Sequence, residues 1–161
     1  MMGVSGSGKS TTGRALAEAT GWLFLDADDF HPPANVAKMA AGIPLTDADR
    51  WPWLDRLRDE LIAIDQRGEH AVLACSALKA AYRARLQQAN DVHFVYLKGD
   101  RGTIASRLAL RDGHYMPASL LESQFAALEE PTDAIVVDVG LPVATQVAAV
   151  CREIAPARKP S

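Results

Sequence analysis

The sequence predicts an α/β fold: a five-stranded parallel sheet with helices on both faces. Three observations predict it. Short apolar runs of strand length alternate with segments of helical periodicity along the 161 residues. The first run leads into Gly3-Val4-Ser5-Gly6-Ser7-Gly8-Lys9-Ser10, which matches G-x-x-x-x-G-K-S/T without a mismatch. The predicted strands end on polar residues: Gly3 onward, Asp26, Ser76, Lys98 and Asp138. In open α/β sheets, sites gather outside the carboxyl ends of the strands, so the candidate chemistry falls on one edge.

The elements follow in order. Met1 to Val4 supplies only the tail of the buried strand that usually precedes such a loop, so the first strand is either completed upstream or unusually short. Ser10 to Ala19 reads as a helix with Ala15, Leu16 and Ala19 on its apolar side, stopped before Gly21. Trp22 to Leu25 is a short apolar run ending in Asp26, the pattern of a buried parallel strand. Asn35 to Ala41 is a weak helix closed by Gly42. Thr46-Asp47-Ala48-Asp49 offers a capping-box-like start, Pro52 suits a first helical turn, and Leu54, Leu57, Leu61 and Ile64 recur at helical spacing until Gly68. Strands at Ala71–Cys75, Val92–Leu97 and Ala134–Val137 alternate with helices at Ala77–Ala89, Gly102–Arg111, Ser119–Leu128 and Val143–Ile154. Asp112 to Pro117 is a polar, breaker-rich loop, and the tail from Ala155 carries two prolines. The whole chain, residues 1–161, reads as one domain with a lid at about 107–118.

Composition bounds the function. The chain is 48% hydrophobic and 23% charged, with a net charge of −3, which argues against a general nucleic-acid binder. No apolar run approaches the length of a membrane span, and glycines interrupt the N-terminus where a signal peptide would be apolar. Cys75 and Cys151 have no metal-binding spacing and lie in apolar runs, so both read as buried thiols in a reducing cytoplasm.

The glycine-rich motif carries the most chemistry. Its glycines turn backbone N–H groups inward to cradle phosphate oxygens, which assigns ATP contact to Gly3, Ser5, Gly6, Ser7, Gly8, Lys9, Ser10 and Thr11. Lys9 reaches the β- and γ-phosphates, the Ser10 hydroxyl can sit on Mg²⁺, and the following helix points its positive end at the same anion. Asp26 and Asp28 follow the second strand two residues apart, and on extended chain their carboxylates face the same way. Asp26 is then the metal-side residue and Asp28 the base for an attacking hydroxyl. His31 and Arg50 are candidate acceptor contacts. Lys79 and Arg83, four residues apart, would share a helix face able to bind an anion. Arg107 and Arg111 repeat that spacing at the base of the Asp112–Pro117 loop, where a lid would close over transferring phosphate. The third strand does not end in Asp, which shifts weight to Asp26 and Asp28. Asp65-Gln66-Arg67-Gly68 matches the D-x-x-G of GTPase switches, but it closes a helix, and there is no N-K-x-D guanine motif.

These residues resemble the small gluconate kinase family. The likeness runs through Gly3–Ser10, Leu25-Asp26-Ala27-Asp28 with His31-Pro32, Pro44-Leu45-Thr46-Asp47-Ala48-Asp49-Arg50 and Pro52-Trp53-Leu54. It continues in Cys75-Ser76-Ala77-Leu78-Lys79 with Tyr82-Arg83, Tyr96-Leu97-Lys98-Gly99, Gly113-His114, Ser123-Gln124-Phe125 and Leu128-Glu129-Glu130-Pro131. The resemblance implies a P-loop NTPase fold of the nucleoside-monophosphate-kinase type, shared with shikimate kinase. It implies ATP-dependent, Mg²⁺-assisted phosphorylation of D-gluconate to 6-phosphogluconate by a cytoplasmic homodimer. By position it supports Gly6, Gly8, Lys9, Ser10 and Thr11 at ATP, Asp28, Arg50, Lys79 and Arg83 near the sugar acid, and Arg107 and Arg111 in the lid. The chain departs from the family at its short first strand and at Asp29-Phe30, which leaves Asp26, Asp28 and Asp29 as alternative bases. Two other readings stay open on the residues alone: a kinase for another small hydroxy acid or a nucleotide, and a nucleotide-binding regulator without acceptor chemistry.

Overall fold

The computed structural model describes residues 1–89, 91–110 and 118–154. In chain order these form α1 (Lys9–Thr20), β1 (Leu23–Asp26), a 3₁₀ turn (Ala27–Phe30), α2 (Pro33–Ala40), α3 (Asp47–Gln66) and β2 (Ala71–Ala74). Then come α4 (Ala80–Leu86), β3 (Val95–Lys98), α5 (Arg101–Ala109), α6 (Ala118–Ala127), β4 (Ile135–Asp138) and α7 (Val143–Ile154). The α/β alternation expected from the sequence is present.

The sheet is assembled from two parallel pairs. β1 lies beside β2 with Leu23 opposite Ala71 and Asp26 opposite Ala74. β3 lies beside β4 with Val95 opposite Ile135 and Lys98 opposite Asp138. Met1 to Gly3 runs between the pairs. On one side the Met1 amino group donates to the Leu73 carbonyl and Cys75 N–H donates to the Met1 carbonyl, at 2.8 and 3.0 Å. On the other, Met2 N–H donates to Val95 and Leu97 N–H donates back to Met2, at 2.7 and 3.0 Å. The expected first strand is therefore a single parallel bridge, Met2 to Tyr96, and the described residues contain four strands rather than five. Three residues are too few for a full ladder, although they occupy its place.

Period-two alternation sends side chains to opposite faces. Val95 and Leu97 join Val4, Leu16, Val72, Ile104, Val137 and Val150 in one core, beneath α1, α5 and α7. Phe94 and Tyr96 join Met2, Trp53, Leu54, Leu57, Tyr82 and Leu86 in the other, beneath α3 and α4. Helices thus cover both faces, as the alternation requires.

Local chemistry explains the boundaries. Gly21 adopts a left-handed conformation (φ 73°) and returns its N–H to Ala17, ending α1. The predicted cap of α3 is a complete capping box: Asp49 N–H donates to Thr46 Oγ1, and Thr46 N–H donates to the Asp49 carboxylate. Pro52 sits in the second turn of α3 rather than the first, so the Ala48 carbonyl lacks its usual i+4 donor. α4 starts at Ala80 rather than Ala77, because Ala77 takes a positive φ of 44° that no helix accepts. Of the two thiols, Cys75 is buried and burial pushes its pKa up to about 11, whereas Cys151 is only half-buried. Gly99 permits a close approach: a Cβ there would lie 2.5 Å from Val139 Cγ2.

Leu54 is fully buried under the 3₁₀ turn side of the sheet, at 0% exposure. Leu54→Ala is expected to lower unfolding free energy by about 2–5 kcal/mol, read from the urea midpoint at constant slope. A loss below about 1 kcal/mol would show that the second core collapses around the site.

Candidate active site

The loop between the central bridge and α1 has the backbone its sequence demands. Gly3, Gly6 and Gly8 all take positive φ, at 141°, 80° and 93°. Gly6 is also fixed by packing, since a Cβ there would lie 2.7 Å from Leu108 Cγ. Gly8 precedes α1, so the unsatisfied N–H groups of that helix open onto the loop. Lys9 Nζ donates to the Val4 carbonyl at 3.0 Å, folding the lysine over its own loop. Ser7 N–H donates to the Val4 carbonyl at 3.2 Å, and its side chain is fully buried beneath the loop. Thr11 is exposed on the first turn of α1.

Ser10 Oγ donates to Asp26 Oδ2 at 2.9 Å. A hydroxyl and a carboxylate in contact beside a phosphate loop are suitable donors for Mg²⁺, which takes one or two protein oxygens and completes its shell with phosphates and water. No group of three or more His, Cys, Asp or Glu among the described residues offers a denser metal site. The expected side-by-side carboxylates do not form. Asp26 ends β1 and caps the 3₁₀ turn, accepting from Asp28 N–H at 3.2 Å, so the chain bends where extension was assumed. Asp28 projects from that turn with its side chain 88% exposed, 3.9 Å from His31 Nε2.

His31 is held firmly. Its ring stacks on Trp53 with centroids 4.3 Å apart, and Trp53 Nε1 donates to the Ala27 carbonyl at 2.8 Å. Asn35 is buried, lies 3.4 Å from His31 Nδ1, and donates to the Asp49 carbonyl at 2.9 Å. The 3₁₀ turn, α2 and the start of α3 are thus tied together around one imidazole.

A second cluster forms where α3 meets α4. Lys79 Nζ donates to both Asp47 carboxylate oxygens, at 2.9 and 3.0 Å. Arg50 lies 3.6 Å from the same carboxylate and 3.4 Å from Tyr82 OH, and the Tyr82 hydroxyl donates to Asp47. The Tyr82 bond, then Lys79, holds the Asp47 carboxyl below its ordinary range, and that carboxylate raises Lys79 in turn. Lys79 and Arg83 do not share a helix face, because Lys79 precedes α4 in extended backbone. Arg83 is buried and donates to the Ala77 and Leu78 carbonyls at 3.0 and 3.1 Å.

Arg107, on α5, donates to the Val139 carbonyl just past β4. Arg111 and the Asp112–Pro117 loop lie outside the described residues. α5 and α6 are joined by an Arg101–Glu122 ion pair at 2.7 Å. An apolar cavity of about 180 Å³, lined by Met1, Leu73, Phe94 and Val150 among others, is also lined by His70 and Ala71, which open β2. Its lining contains no residue of the loop from Gly3 to Ser10, and it is not the candidate site.

Sequence reasoning missed several members. Gln124 of α6 accepts from Ser5 N–H at 2.6 Å, inside the phosphate loop. Gln146 of α7 is buried: it accepts from Thr12 Oγ1 at 2.8 Å and donates to the Leu141 carbonyl at 2.8 Å. An amide in the otherwise apolar run of α7 was the available signal. Asp47 and Tyr82 belong to stretches noted in the sequence, yet nothing in their spacing shows that they meet.

The family model described as "AAA domain" matches residues 1–131. A gluconokinase of Gluconobacter oxydans is 52% identical over 134 residues, 83% of this chain and 75% of that one. The thermosensitive gluconokinase of Escherichia coli is 44% identical over 158 residues, 95% of this chain and 84% of its own. The crystal structure of a gluconokinase from Sinorhizobium meliloti superposes with a TM-score of 0.85 at 45% identity, covering 94% of this chain and 90% of that one.

Two outcomes are expected of this geometry. Lys9→Ala should remove most turnover while leaving the unfolding transition in place, and activity kept within about threefold would deny the loop its phosphate role. Burial first, then Arg50, holds His31 below the usual imidazole value of 6.5 against the opposing pull of Asp28. Its contribution to stability is therefore present above pH 6.5 and lost as pH falls through the lowered folded value. His31→Gln should flatten the stability–pH slope below 6.5, and an unchanged slope would place the titration elsewhere.

Proposed function

The chain belongs to the gluconokinase family, and from that premise we propose that it transfers the γ-phosphoryl group of ATP to the terminal hydroxyl of D-gluconate. The observation that supports this most is a juxtaposition on one sheet edge. The phosphate loop and the Ser10–Asp26 contact follow the central bridge and β1, and the Arg50–Lys79–Tyr82 cluster gathers at the turn after β2.

Phosphoryl transfer needs positioning and charge neutralisation more than covalent work. Gly3, Ser5, Gly6, Ser7, Gly8, Ser10 and Thr11 form the phosphate cradle, with Lys9 released from the Val4 carbonyl to the β- and γ-phosphates. Ser10 and Asp26 would hold Mg²⁺, which spreads the charge of the β- and γ-oxygens when bound. Arg50 and Lys79 bind the carboxylate of the sugar acid. Arg83 acts through the turn it braces, because its guanidinium is engaged with the Ala77 and Leu78 carbonyls that precede Lys79. Asp28, exposed beside His31, takes the proton from the attacking hydroxyl, and His31 orients that hydroxyl. Arg107 and Arg111 serve the lid side of the transfer; Arg107 also steadies the segment after β4. The proposal extends to a cytoplasmic homodimer that binds neither nucleic acid nor membrane; separately, no described helix is long and apolar enough to cross a membrane.

The test is ADP release with gluconate, shikimate and AMP as acceptors, run on the wild type and on Asp28→Asn. Gluconate should give the dominant signal, and Asp28→Asn should lower kcat by about two orders of magnitude or more. Turnover with shikimate or AMP alone would overturn the acceptor. ATP binding with no turnover on any of them would favour a nucleotide-binding regulator. Full kcat in Asp28→Asn would move the base to Asp26 or Asp29.

A further inference from the structure

We propose that Asp47 sets how much negative charge the acceptor pocket admits, so that the site takes a monocarboxylate and turns away acceptors carrying two charges. The inference rests on the gluconate reading above and adds a specificity determinant to it.

The cluster contains two fixed cations, Lys79 and Arg50, and one carboxylate placed between them. Asp47 meets Lys79 through both oxygens, lies within 3.6 Å of Arg50, and accepts the Tyr82 hydroxyl. Of the neighbouring charges, Asp28 is a further exposed carboxylate on the His31 side of the site, and the others are engaged elsewhere. Asp49 is paired with Lys38 at 2.7 Å and with its own cap residue. Arg83 is turned to backbone carbonyls on the buried side. His31 is neutral at pH 7, since burial lowers its affinity for a proton. The Lys79–Arg50–Asp47 cluster that would meet the acceptor's carboxylate therefore carries one net positive charge, and Asp28 adds a second carboxylate at the hydroxyl end.

Stability alone is a weak reason for such an arrangement. Asp47 is 47% exposed and Lys79 35%, and partly solvated ion pairs add little to folding. A carboxylate that only weakened the cations would also cost acceptor affinity. It gains a purpose if the pocket must hold one anionic group and refuse a dianion. The two cations then bind the acceptor's carboxylate, and Asp47 supplies the repulsion that a doubly charged group meets.

The test compares three open-chain acceptors that keep the terminal hydroxyl: gluconate with one negative charge, a hexitol 1-phosphate with two, and the neutral hexitol. The enzyme, Asp47→Asn and Asp47→Glu are assayed for kcat/KM, or for competitive inhibition where an acceptor is not turned over. Asp47→Asn is expected to shift preference toward the dianion by about tenfold or more relative to gluconate, the scale of one charge in a partly solvated pocket. Asp47→Glu should keep the wild-type order. Equal losses on all three acceptors in Asp47→Asn, with the fold intact, would make Asp47 a structural residue and overturn the proposal. If Asp47→Asn does not fold, an Asp47→Glu enzyme that already prefers the dianion would overturn it, and one that keeps the order would support it. Wild type inactive on gluconate would instead defeat the functional reading, and is read before any variant.

Discussion

The two halves of the sheet meet through Met1 to Gly3. Among the described residues, β1 with β2 and β3 with β4 pair only within themselves, and the bridging hydrogen bonds run from Leu73 and Cys75 through Met1, and from Met2 to Val95 and Leu97. The backbone N–H and carbonyl groups of Met1 and Met2 are all used on one side or the other, which is what their burial requires. The same three residues aim the phosphate loop. Gly3 leaves the bridge at positive φ, and its N–H still reaches the Ser76 carbonyl at 3.2 Å. The position of the anion cradle relative to the acceptor cluster is therefore set by a few hydrogen bonds at the centre of the sheet.

Around that centre the two sides of the site are built differently. The phosphate side is backbone: left-handed glycines, a helix start, and one lysine. The acceptor side is side chains braced by other side chains, with His31 on Trp53, Asn35 against the Asp49 carbonyl, and Asp47 among Lys79, Arg50 and Tyr82. Backbone geometry suits a group that all nucleotides share. Side-chain clusters can be retuned residue by residue, which suits the partner that distinguishes one kinase from another.

That division explains what the sequence revealed. The loop motif was legible because its function lies in backbone conformation, which glycine spacing encodes directly. Helices such as α3 and α7 were legible from apolar periodicity, and α7 matches the expected Val143–Ile154. The Ser10–Asp26 contact followed from putting both residues on one edge. The Asp26–Asp28 pairing failed because an Asx cap bends the chain, and a short polar side chain competes with extension at that point. The Lys79–Arg83 pairing failed because one residue, Ala77, takes a conformation that its identity does not announce. The contacts of Asp47, Gln124 and Gln146 escaped notice for a common reason: each acts across a separation in sequence that no local pattern spans.

That last feature has a consequence for how the protein is made. Ser5 is held by Gln124, 119 residues later, and Thr12 by Gln146, 134 residues later. In synthesis the phosphate loop precedes both of these partners by more than a hundred residues. On a growing chain Gly3 and Gly6 can meet Ser76 and Leu108 first, and the Ser5 and Thr12 contacts close only when α6 and then α7 are made. The complete set of loop contacts therefore arises only once α6 and α7 are made, well after the motif itself.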